Sequence, residues 1–129
     1  MIKLLWSLTL WLPVVACGGS VEPVLFRGPV RAESMACAEE RLRAADYDVF
    51  EAGETLEGEL TIMSGGVATR RELIRVSLAA PDELQARVTA QLLEAPERPT
   101  ESRPLVPIPT EPLPSTLTAA EALVEACGG

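Results

Sequence analysis

Histidine is absent from all 129 residues. That removes the commonest general base, the commonest metal ligand and the usual protonation switch near neutral pH. Lysine occurs once, at Lys3, and aromatic residues make up 4% of the chain, with both tryptophans, Trp6 and Trp11, near the N-terminus. Past residue 16 the only basic residues are ten arginines, against 19 acids. An excess of acid repels nucleic acid and anionic head groups, so neither is an expected partner. Catalytic patterns are missing as well. "MSGGV" lacks the first glycine of a nucleophile elbow, and no phosphate-binding or dinucleotide-binding loop occurs. Asp46-x-Asp48 opens like a calcium loop, but Phe50 and Glu51 stand where another oxygen ligand and the turn glycine belong. Glu51, Glu54, Glu57 and Glu59 read as a solvated acidic loop able to attract a cation or a basic partner. The expectation is a protein that is not an enzyme and holds no cofactor or metal.

What is present begins with an address. Residues 1–16, "MIKLLWSLTLWLPVVA", place a positive charge before an apolar run from Leu4 to Leu12 and end in small or branched residues, the pattern of a secretory signal peptide. The run is short for a membrane span and meets Pro13 and then Gly18-Gly19-Ser20. Val14-Val15-Ala16-Cys17 resembles the lipobox of bacterial lipoproteins. The resemblance covers only the first 20 residues and implies cleavage before Cys17, with acyl chains on its thiol and on the new N-terminus. Two or three such chains anchor stably, at about 0.8 kcal/mol per buried CH₂. Residues 17–23 would then be the lipidated cysteine and a tether. The partner so implied is the bilayer, reached through Cys17. Gly18 follows in place of the aspartate that retains some lipoproteins in the inner membrane, so the expected site is the outer membrane, facing the periplasm. The alternative is a soluble secreted domain with Cys17 unacylated.

The segment 24–95 reads as a small α+β domain, one helix on an antiparallel sheet of four or five strands. Val24-Leu25-Phe26 closed by Gly28-Pro29 predicts a short strand. Met35, Ala38, Leu42 and Ala45 recur at helical spacing, with Glu39 and Arg43 paired on the other side. "DYDVFEA" and "ELTIM" predict two strands, Ser64-Gly65-Gly66 a tight turn, and "RELIRVSLA" a strand with Ile74, Val76 and Leu78 on one face. "ELQARVTAQLLEA" alternates strictly yet has helical composition; the turn "AAPDE" before it favours a strand.

Residues 96–114 hold seven of the eleven prolines, which predicts a polyproline II or irregular strap with P-x-x-P triplets at Pro96–Pro99, Pro104–Pro107 and Pro109–Pro112. Residues 115–129 predict a docked C-terminal helix. Thr118-Ala119-Ala120-Glu121 has the form of a capping box starting it near 119, and Leu117, Ala120, Leu123, Val124 and Cys127 form its buried stripe. If Cys17 is acylated, as the lipobox implies, Cys37 and Cys127 are left as a disulfide pair in an oxidising compartment. Two buried free cysteines remain the alternative. The functional expectation is an envelope lipoprotein that binds or assembles with a protein partner. A small-ligand binder lined by Phe26, Tyr47 and Phe50 is the alternative.

Overall fold

The computed structural model describes residues 21–79, 82–94 and 106–128. Cys17, the signal segment and the triplet Pro96–Pro99 lie outside them. The elements run β1 (Val24–Pro29), α1 (Ser34–Ala44), β2 (Asp48–Ala52), β3 (Thr55–Ser64), β4 (Val67–Ala79), β5 (Glu83–Glu94), β6 (Val106–Thr110) and α2 (Pro114–Cys127). All pairings are antiparallel, in the order β1-β5-β4-β3-β2. Strand β6 lies on the same side of β5 as β1: β1 covers Glu83–Val88 and β6 covers Ala90–Glu94. The protein is therefore α+β, among the described residues a sheet with two helices on one face.

Alternation decides which side chains meet those helices. Leu84, Ala86, Val88 and Ala90 of β5 and Ile74 and Val76 of β4 are buried beneath Ala38 and Leu42 of α1 and Ala120, Leu123 and Val124 of α2. The difficult segment from 83 is a strand, because its period of two puts a full row of aliphatics on that face. Each helix rests on a strand glycine. A Cβ on Gly58 would lie 2.9 Å from Leu42 Cδ2, and one on Gly28 would lie 2.8 Å from Val124 Cγ1. Gly65 and Gly66 turn β3 into β4 with φ of 60° and 79°, the positive values a two-residue hairpin turn demands.

Leu78 shares a face with Ile74 and Val76, as expected, and is 53% exposed near the end of β4. Two expectations are corrected. Residues 106–110 of the strap form a sheet strand where polyproline II or irregular chain was expected. Proline survives there because the strand is at an edge: Pro107 and Pro109 alternate, so the N–H each lacks would point away from β5. Helix α2 starts at Pro114, earlier than the capping box predicts, with Leu113 at its N-cap and no side-chain cap bond. Proline suits the first helical position because the N–H it lacks has no partner there.

Candidate functional site

The cysteine pair comes first, since it joins the two helices. Cys37 and Cys127 form a disulfide with their Cα atoms 5.5 Å apart, across 90 residues of sequence. Around it the C-terminal end of α2 is bound twice more. Ser34 Oγ donates to the carbonyl of Cys127 at 2.7 Å and accepts the Arg31 N–H at 2.9 Å, while the Arg31 guanidinium donates to the carbonyl of Ala126 at 3.2 Å. These contacts satisfy carbonyls that a helix end leaves without partners.

The N-terminal end of α2 is held by a side chain that sequence reasoning missed. Glu72 is fully buried on the helix face of β4. Its Oε1 accepts the Leu113 N–H at 2.9 Å, and its Oε2 takes the Arg70 guanidinium at 2.5 Å. Arg70 in turn donates to the carbonyl of Glu111. The chain leaving β6 breaks from strand to helix at residues 111–113, which orphans these backbone groups, and one acid and one arginine satisfy both. A buried charge left without partners is costly, so the ion pair and the strap stabilise each other. Beside it the buried Tyr47 hydroxyl donates to Thr116 Oγ1 at 3.4 Å. Burial raises the Tyr47 pKa, the Thr116 hydrogen bond opposes that, and the Glu72 charge adds to the rise. The signal for Glu72 was its parity with Ile74 and Val76; it was obscured because a charge at such a position reads as the end of the buried run.

The face turned away from the helices is charged. Cross-strand rows set Phe50, Glu57, Arg75, Arg87 and Leu25 side by side, and next to them Asp48, Glu59, Leu73 and Thr89. Arg75 bonds Glu57 at 2.6 Å, and Arg27 lies 3.7 Å from Glu83. Arg71 Nε is 3.2 Å from Glu59 Oε1 without the alignment of a hydrogen bond. Arg87 faces Arg75 across a hollow of about 230 Å³ lined also by Glu57, Leu73 and Thr89, and forms no ion pair among the described residues.

The predicted acidic run is divided by strand alternation. Glu57 and Glu59 meet arginines on the open face, whereas Glu51 and Glu54 line a hollow of about 320 Å³ with Met35, Ala36 and Glu39. Asp46 forms the turn from α1 into β2, with φ of 69°. The three aromatics proposed as a ligand lining do not converge. Tyr47 is in the core and Phe26 packs against it, but Phe50 is on the opposite face and 54% exposed. Among the described residues no helix is long and apolar enough to cross a membrane.

No protein family matches the chain, and no curated protein or solved structure is similar to it.

Proposed function

We propose that the protein is a bacterial envelope lipoprotein, anchored through acylated Cys17, that acts without catalysis as a binding or assembly module for a protein partner. The observation that carries the protein-binding reading is the pair of surfaces left uncovered among the described residues: the edge of β2 and the sheet face opposite the helices. The signal segment and the lipobox resemblance support the anchor. The seven residue-to-residue steps from Cys17 to Val24 reach at most about 25 Å, so an anchor there holds the β1 edge near the bilayer. The β2 edge lies four strand spacings away, about 19 Å across the sheet, on the side that a partner in the periplasm can approach. The small-ligand reading is weaker, since the core between helices and sheet is filled by Leu42, Ile74, Val88 and Leu123.

The test has two parts. The intact mass of the protein taken from bacterial membranes should equal residues 17–129 plus acyl groups; an unacylated mass would make it a soluble secreted domain. A photo-crosslinking side chain placed at Phe50 or at Arg87 in cells should give a discrete adduct from at least one position. Adducts from neither would remove the protein-binding reading.

A further inference from the structure

The two edges of the sheet are built differently. On one side Pro107 and Pro109 deprive the outer edge of β6 of two N–H donors, and β1 ends in Gly28-Pro29 under Val124 of α2. On the other side β2 contains no proline, and no strand lies beyond it among the described residues. Strand β3 continues from Leu60 to Ser64 past the last residue that β2 pairs with. Alternate residues along such an edge turn their N–H and C=O outward, a template for a further strand.

Charge selects what can use it. Glu57, Glu59, Glu72 and Glu83 on the strands each meet an arginine. Asp46, Asp48, Glu51 and Glu54, on and beside β2, form no ion pair among the described residues. A second copy adding here would bring these same unpaired acids toward their counterparts on its partner, and like charges across a strand pair are destabilising. The edge therefore rejects its own kind and favours a cationic strand. At its centre Phe50 presents an exposed ring beside the Glu57–Arg75 pair.

We infer that the β2 edge docks an extended, lysine- or arginine-rich segment of a partner protein, which adds as a strand alongside Asp48–Ala52. Its cations lie against Asp48 and Glu51, and an apolar side chain of the segment covers Phe50. This rests on the reading of the protein as a protein-binding module.

The probe is a synthetic peptide repeating lysine, valine and threonine in threes, which in antiparallel addition sets lysine opposite Glu51 and Asp48 and valine opposite Phe50; it is added to the mature disulfide-bonded protein in neutral detergent. Two controls accompany it: the same composition interrupted by prolines, and the same pattern with glutamate for lysine. The lysine strand should slow hydrogen exchange at amides within Asp48–Ala52, and neither control should. Asp48→Arg combined with Glu51→Arg, both at exposed positions, should weaken binding about tenfold or more while leaving the thermal midpoint in place. Equal binding of the proline-interrupted peptide, protection confined to another edge, or no protection of β2 would each overturn the inference. So would dimerisation of the protein through β2. In cells, an adduct from Arg87 with none from Phe50 would overturn the β2 assignment and keep the protein-binding reading, whereas adducts from neither position would overturn both.

Discussion

The two sides of this sheet are finished in opposite ways. Along β5, the outer flank is closed by β1 and β6, and α2 above it is held at both ends, by Glu72 at Leu113 and by the disulfide and Ser34 at Cys127. Along β3, the outer flank has only the five residues of β2, beneath a helix that shares the disulfide but has no buried ion pair of its own. Its one ion pair, Glu39 with Arg43, is on the surface, where such a pair contributes roughly 0.3–0.5 kcal/mol. The closed side carries covalent and buried polar stabilisation because it must fix a strap that has too many prolines to fold by itself. The open side, held by apolar packing and by ion pairs that are not buried, is left free at its edge among the described residues.

Breaking the staple tests the closed side most severely. Replacing Cys37 and Cys127 together by serine should lower stability by about 4 kcal/mol, since the bond closes a long loop in the unfolded chain; urea unfolding measures it. A variant as stable as the parent would mean that α2 stays docked without it. Next is the ion pair. Arg70→Ala leaves Glu72 buried and uncompensated and should cost about 3–5 kcal/mol, while Arg70→Met with Glu72→Leu should recover most of the loss. Failure of that double variant to recover would mean that the strap needs the carboxylate itself at Leu113.

On the open side, Gly58→Ala pushes a methyl into Leu42 and should cost about 1–3 kcal/mol, read from the same unfolding curves. A neutral result would show that Leu42 or α1 gives way over Gly58 despite the disulfide. The Tyr47 hydroxyl gives a smaller, pH-dependent effect. Its folded pKa lies above 10.0, so the folded state keeps the proton while the unfolded state loses it. That contribution is complete below pH 10 and is lost as pH rises above it. Tyr47→Phe should flatten this alkaline loss in a melting series against pH. Smallest of all, Phe50→Thr should change stability by less than about 0.5 kcal/mol, which makes Phe50 a clean site for binding tests.

The legible parts of the molecule were those with a period. β3, β4 and β5 alternate, α1 and the stripe of α2 repeat at helical spacing, and the Gly65-Gly66 turn is plain from its residues. The start of α2 was misread because Thr118 and Glu121 have the right letters for a cap, yet Pro114 and the carboxylate of Glu72, 41 residues upstream of Leu113, set the boundary. β6 was hidden by its prolines, which forbid a central strand but permit an edge one. Leu78 and Phe50 show the limit of alternation. It assigns a face of the sheet, and only the placement of the helices decides whether that face is covered.

The sequence by itself determined the α+β class, the strands of strict alternation, the acidic surface and the cysteines available for pairing, because periodicity and composition act locally along the chain. Tertiary structure alone decided that Cys37 reaches Cys127, that Glu72 becomes the N-terminal partner of α2, and that one sheet edge is closed while the other, among the described residues, is free. Those depend on where distant segments meet, and the entropy of bringing them together is offset only when the whole core packs.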